Sequence, residues 1–362
     1  MRYDGTPESF DAHHPDLVAA LDPDELADVH AHLAAELARR RHHFSRAERR
    51  RRDVAARYRP LHPDVYVLLE HHVDPRWREL AEMAREALAA AESAPESAPE
   101  SAPAASARDR LLARATATGL LRQRPRGVFA FPALSLEFCR ALREEVAHFE
   151  RSGFEPSRPN TMNTNGLLLY ELGAYPRLLD PLVARFVAPV AAALFGGDAA
   201  TSPGAASLDH HRSFTVTYEV GKEVDLAYHH DDSEITLNVC LGGDFEGGEL
   251  LFGGLRDDPE ERHLARTPVA HRPGMALLHR GSHCHEAVAV ESGVRTNLIV
   301  WCRSSETRRR TCAMCGGAEK RTRARANDEV DGREGAGEGT REGGIDIANG
   351  RGRHPSPSRA TT

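Results

Sequence analysis

Two spacings of apolar residues divide this chain. From Asp22 onward, Leu26, Val29, Leu33 and Leu37 recur three and four apart, which predicts one face of a helix with Pro23 in its first turn. Pro60 and Pro63 end that run, and a second helical pattern covers roughly 65–91. A short helix is expected after Arg108. Val128, Phe129 and Phe131 then predict a buried strand closed by Pro132. Ser135 caps a helix with the stripe Cys139, Leu142, Val146 and Phe149, which ends at Gly153. Asp180-Pro181 starts another helix that reaches Phe195 and is interrupted or bent at Pro189. After Arg212 the spacing changes to alternation. SFTVTYEVG, ITLNVCLGG, GELLFGG, MALLHRG and TNLIVWC read as short strands joined by glycine-rich turns. Strands that follow helices in this way predict an α+β protein. Its core is a double-stranded β-helix, or jelly roll, with a supporting helical layer and a helical N-terminal arm.

Composition sets the boundaries. Residues 1–20 show little periodicity and read as a poorly ordered lead-in. Residues 92–103 read ESAPESAPESAP, a tandem tetrapeptide with no large apolar side chain to offset its ordering entropy. The expected division is a helical arm over 1–91, a disordered ESAP-repeat linker over 92–107 and a helical support region over 108–204. The jelly-roll core follows over 205–305, then a mostly disordered charged tail over 306–362.

With 362 residues there is room for one large domain or two ordinary ones. A net charge of −7 argues against nucleic-acid binding by the whole chain. No run of 18 apolar residues occurs, so no transmembrane helix is expected, and MRYDGTPESFDAHHPD lacks a secretion pattern. Cys139, Cys240, Cys284, Cys302, Cys312 and Cys315 follow no disulfide-scaffold spacing. The reading is of an intracellular, cytoplasmic protein in a reducing compartment. The run from Arg39 to Arg52 could meet an acidic partner or nucleic acid, but the acidic total favours a solvated helix face.

The candidate chemistry lies between Tyr228 and Trp301. His-x-Asp alone says little, because it occurs also from His14, His62, His72 and His230. The copy at His229 and Asp231 is the one followed by an alternating strand, on which Thr236, Asn238 and Cys240 share the face opposite Ile235, Leu237 and Val239. Downstream, His279, His283 and His285 are all candidates for a third metal ligand. A turn at Glu291–Val294 is expected to let the strand after His285 pair back against the strand of Arg295, so that both face one cavity. Arg295, Asn297, Ile299 and Trp301 then point the same way. Two neutral imidazoles and one carboxylate leave about three positions open on Fe(II). A 2-oxo acid can chelate there beside dioxygen, while a forked, permanently charged arginine holds its far carboxylate.

These residues resemble the prolyl-4-hydroxylase-type branch of the 2-oxoglutarate/Fe(II) oxygenases, with His-x-Asp, a Gly-Gly-Glu turn, His, and Arg ten residues later. Here they are His229 and Asp231, Gly247-Gly248-Glu249, His285 and Arg295. Within that branch the chain is similar to the second type of 2-oxoglutarate and iron-dependent oxygenase domain-containing proteins. HPDVY, RPNTMNTNGLLLYELG, YHHDDSEITLNVCLG, LFGGL, LHRG, GVRTNLIVW and a late Cys-x-x-Cys carry that likeness over about 60–315. The resemblance implies that His229, Asp231 and His285 are the catalytic iron ligands, rather than His279 or His283. It implies that Arg295 binds 2-oxoglutarate, helped by some of Tyr218, Thr236 and Asn238. Implied cofactors and partners are Fe(II), 2-oxoglutarate, O2, L-ascorbate and an unidentified substrate, a protein side chain or a small molecule, but neither nucleic acid nor membrane. Glu286 and Thr296 depart from the family pattern, where Gly and a bulky aromatic are usual. Cys312 and Cys315 read as a structural or redox-silent pair; zinc would need two further ligands. The expected activity is hydroxylation coupled to decarboxylation of 2-oxoglutarate to succinate and CO2. The alternative is a catalytically silent jelly-roll module that holds an acidic partner by its basic helix.

Overall fold

The computed structural model describes residues 6–93, 105–123, 125–154, 157–197, 204–256, 258, 260 and 264–310. The ESAP repeat beyond Ser93, the Cys312/Cys315 pair and the tail after Arg310 lie outside the described residues. The lead-in is more ordered than its composition suggests. Proline in the first turn and the Thr6 hydroxyl, which accepts the Ser9 N–H at 3.2 Å, start α1 (Pro7–His13), and α2 (Pro15–Ala20) follows. The long α3 (Pro23–Arg57) begins at a capping box in which Asp22 and Glu25 each accept the other's backbone N–H, at 2.8 and 3.0 Å. Its basic stretch is only partly a solvent face. Arg50 pairs with Glu171 at 3.0 Å and Arg51 lies over the Tyr170 ring, whereas Arg41, Arg46, Arg49 and Arg52 are exposed.

The second helical run starts later than its periodicity predicts. Two 3-10 turns, Pro63–Tyr66 and Glu70–His72, precede α4 (Pro75–Glu92), because Asp74 caps the helix and Pro75 opens it. Nor is this segment a separate arm. Trp77, Leu80 and Ala84 are fully buried in the same core as α5 (Ala107–Ala117) and the helices that follow. After β1 (Arg122–Gln123) and β2 (Phe129–Pro132), Ser135 caps α6 (Leu136–Glu150), as its sequence predicts.

The next helix does not break at its prolines. Residues Tyr175–Phe195 form one run, α7, which widens into π turns at Tyr175–Leu179 and Val183–Val187. Pro181 and Pro189 cannot donate to the carbonyls of Arg177 and Arg185. Those carbonyls instead receive the Leu68 N–H and the Arg85 guanidinium. By length and composition α7 could cross a membrane, but Leu179, Leu182, Val190 and Phe195 are buried in the protein's own core.

Two antiparallel sheets follow. The larger has the order β1-β2-β9-β5-β11-β3, built from β3 (His210–Glu219), β5 (Ile235–Gly242), β9 (Met275–Arg280) and β11 (Val290–Arg303), with β6 (Phe245–Gly247) beside β11. The smaller has the order β4-β10-β7-β8, from β4 (Leu226–His229), β7 (Leu250–Leu255), β8 (Thr267–Val269) and β10 (His283–Ala287). Leu237, Val239, Leu298 and Val300 turn outward onto the helices, while Phe214, Val216, Ile299 and Trp301 form a second apolar cluster with Phe252 and Ala287 of the smaller sheet. This is the expected jelly roll on a helical layer. One pairing differs from expectation. The strand of His285 does not turn back on that of Arg295; residues Glu291–Val294 belong to β11 itself, and β10 pairs with β4 and β7. Alternation fixes which face a side chain takes, not which strand lies alongside. The chain stays helical past the barrel in α8 (Ser305–Arg310), where the charged tail was expected to be already disordered.

One buried charge ties the N-terminal segment to the helical layer. Glu145 on α6 accepts the Tyr58 and Tyr66 hydroxyls at 2.8 and 2.7 Å and the His62 N–H at 2.7 Å. Glu145→Ala removes the shared acceptor of Tyr66 and the His62 N–H, while Tyr58 keeps His148 Nδ1 at 2.9 Å. It is expected to cost on the order of 3 kcal/mol in chemical denaturation, with Tyr66→Phe costing clearly less.

Candidate functional site

A solvent-open cavity lies between the two sheets. His229 ends β4 and stands opposite His285 on β10, and Asp231 follows on the turn into β5. One donor atom from each of His229, Asp231 and His285 lies within 4.8 Å of the others. The two Nε2 atoms are 3.6 and 3.9 Å from the Asp231 carboxylate oxygens. Each ring is oriented from behind. His229 Nδ1 donates to the Ala227 carbonyl at 2.7 Å and His285 Nδ1 to that of His283 at 3.0 Å, so that both Nε2 lone pairs face the cavity. The Thr236 hydroxyl donates to Asp231 Oδ2 at 2.6 Å and is itself bonded to the Ser233 hydroxyl. Burial and the neighbouring His285 push His229 down to about 4, so its imidazole is neutral near pH 7. Burial alone would raise Asp231, but His285, His279 and His229 bring it below its usual value. The neutral imidazole of His229 and the ionised carboxylate of Asp231 are donor forms that suit a divalent metal.

Of the three downstream histidines, His285 is the one that converges. Phe252 stacks on its ring at 5.3 Å, and His279 packs edge-on behind it at 4.9 Å, with its own Nδ1 on the Arg280 carbonyl. His283 donates to the Gly253 carbonyl at 2.8 Å.

Arg295 lies on the opposite sheet. It pairs across β11 and β3 with Tyr218, is fully buried, and holds its guanidinium 4.7 Å over the Tyr218 ring. None of its Nε, Nη1 and Nη2 has a hydrogen-bond partner among the described residues. Burial lowers its pKa, and it pushes the Tyr218 hydroxyl up to about 12, so that group stays protonated. The glycine pair of the Gly-Gly-Glu turn has a local reason. Gly248 adopts φ +69°, and a Cβ there would sit 3.0 Å from Arg295 Nη1. Thr236 and Asn238 both line the cavity, but they differ in their bonds: Thr236 serves Asp231, whereas Asn238 accepts the Asn297 amide at 2.9 Å.

Among the lining residues not singled out from the sequence are Asn160, Met162 and Asn163. Asn160 Oδ1 accepts the Met162 and Asn163 N–H groups at 2.8 and 2.6 Å, folding NTMN into a tight turn. Glu223 anchors that turn by accepting Asn163 Nδ2 at 3.0 Å and the Asn165 N–H at 2.9 Å. The signal was the run of turn-forming asparagines, which marks a loop but not what it faces.

A family model described as the OGFOD2-like domain matches residues 54–198, from the end of α3 through α7. The 2-oxoglutarate and iron-dependent oxygenase domain-containing protein 2 of Danio rerio is 36% identical over 295 residues, 81% of this chain and 76% of that protein. Its Mus musculus namesake is 38% identical over 289 residues, 78% and 74% of the two chains. Among solved structures, a Pseudomonas putida prolyl-4-hydroxylase is similar at 15% identity with a TM-score of 0.33, over 50% of this chain and 90% of that one. Because the likeness to the first two covers about four fifths of this chain and about three quarters of each relative, this chain belongs to the family of 2-oxoglutarate and iron-dependent oxygenase domain-containing protein 2.

Proposed function

We propose that this protein is an Fe(II)- and 2-oxoglutarate-dependent dioxygenase that hydroxylates a C–H bond of a second substrate, a protein side chain or a small molecule. The observation that carries this reading is the unpartnered guanidinium of Arg295 in the same cavity as the His229, Asp231 and His285 donors. A buried cation without a partner is costly, and the cost is offset when an anion occupies its fork. A silent binding module would have no use for this arrangement.

In this reading His229 Nε2, His285 Nε2 and one Asp231 oxygen would hold the metal. Iron there supplies activation of O2, coupled to oxidative decarboxylation of 2-oxoglutarate to succinate and CO2, with one oxygen atom entering succinate and the other the substrate hydroxyl. Arg295 receives the far carboxylate of the co-substrate and sets its direction, and Tyr218 fixes the plane of the guanidinium from below. Thr236 keeps the Asp231 carboxylate aimed at the metal. Phe214, Ile299 and Trp301 exclude water from the reacting end. The family resemblance adds L-ascorbate, which would serve as an accompanying reductant.

Asp231→Ala is expected to abolish stoichiometric binding of Fe(II) or Mn(II), read anaerobically by titration, and with it succinate formation. Arg295→Ala should keep the metal but raise the KM for 2-oxoglutarate on the order of 100-fold, the equivalent of a lost charge-assisted, forked contact of about 3 kcal/mol. Gly248→Ala should shift the same KM in the same direction by a smaller factor, because its methyl group displaces Arg295 and not the metal ligands. Equal metal loss in all three variants would contradict this division of roles.

A further inference from the structure

The turn that presents Asp231 is gripped from outside the barrel. Asp232 and Glu234 flank Ser233 on that turn, and both carboxylates point toward the segment that follows β11. Arg308, on α8, donates Nη1 to Asp232 Oδ1 at 2.7 Å and Nε to the two Glu234 oxygens at 3.0 and 3.1 Å. Arg303, at the end of β11, donates to Asp232 Oδ2 at 2.7 Å and to the Asp232 carbonyl at 2.9 Å. The Ser304 N–H adds a bond of 2.6 Å to Glu234. From the other side, Gly281 accepts the Asp231 N–H at 2.9 Å and donates to the Glu234 carbonyl at 3.0 Å. A Cβ at Gly281 would fall 1.8 Å from the Ser233 carbonyl oxygen, so the two turns are in direct backbone contact.

We propose that Arg308 is a positioning residue for the metal: by bridging Asp232 and Glu234 it fixes the turn and so the direction of the Asp231 carboxylate. Metal affinity is then set in part by a helix that lies beyond the barrel. The inference rests on His229, Asp231 and His285 being the metal ligands. The link is short. Asp231 takes its aim from Thr236, Thr236 from Ser233, and Ser233 sits between the two carboxylates that Arg308 holds. Arg308 is only 23% exposed at its side chain, and its contact with Glu234, at 4%, is shielded from solvent. A metal tolerates displacement of a ligand by only about 0.2 Å, so loosening this turn weakens binding well before it unfolds the barrel.

Titration of the full chain with Co(II) alone, followed by visible absorption at a temperature where every variant is folded by circular dichroism, tests this. Arg308→Ala is expected to bind Co(II) roughly tenfold more weakly than wild type, the loss typical of groups that orient a ligand. Arg308→Lys should fall between them, because one ammonium can hold one of the two carboxylates but not fork across both. Glu145→Ala, destabilised by loss of its network on α6, should bind as wild type does. An Arg308→Ala affinity within about twofold of wild type overturns the proposal. So does an equal loss in Glu145→Ala, which would make affinity a reflection of stability alone. If the wild-type chain binds no Co(II), the ligand assignment itself fails, an outcome visible before any variant is compared.

Discussion

Strand β11 has to satisfy two interiors at once. Leu298, Val300 and Cys302 enter the core shared with the helical layer, while Arg295, Asn297, Ile299 and Trp301 enter the cavity between the sheets. With β3 on one side and β5 on the other, the strand cannot slip by a single residue without exchanging these two sets. The apolar packing of the outer face therefore holds the polar inner face in place. A guanidinium that nothing else in the cavity restrains by hydrogen bonds is positioned by leucine and valine on the reverse of its own strand.

The donors and the cation come from different sheets. His229 and His285 belong to β4 and β10 of the smaller sheet, and Asp231 to the turn that crosses between sheets, whereas Arg295 belongs to the larger one. A dicarboxylate that reaches from one to the other would join the two layers of the barrel. Each end of the cavity is preset by contacts that do not involve the ligand: carbonyls behind the histidines, the Tyr218 ring beneath the arginine. Such presetting lowers the ordering entropy lost on binding.

Much of this was visible in the residues themselves. The alternation in ITLNVCLGG marks a strand, its even positions mark the cavity face, and of the five His-x-Asp copies only the overlapping pair at 229–232 precedes such a strand. The choice among His279, His283 and His285 was not visible from chemistry, because all three stand at odd positions within seven residues, and only the break between β9 and β10 separates His279 from the other two. Pairing was hidden for a related reason: the Glu291–Val294 segment has the composition of a turn, yet runs as strand alongside β3 and β6. The NTMN wall depends on Glu223, about sixty residues away, a partner no local pattern can name. The ordered lead-in and the docked α8 escaped notice for a third reason. Both are polar segments kept in place by caps and ion pairs rather than by apolar periodicity.

The docking of α4 beside α5 bears on the tetrapeptide repeat between them. Glu92 closes one helix and Ala107 opens the other, and both helices are seated in a single core by Trp77, Leu80, Leu111 and Ala115. The ends of the repeat are thus pinned independently of whatever joins them. Loop closure grows only logarithmically, about 0.6 kcal/mol for each doubling of length. Copies of Glu-Ser-Ala-Pro gained or lost are then expected to have little effect on the stability of the oxygenase, so that chain length at this position is set by something other than the fold.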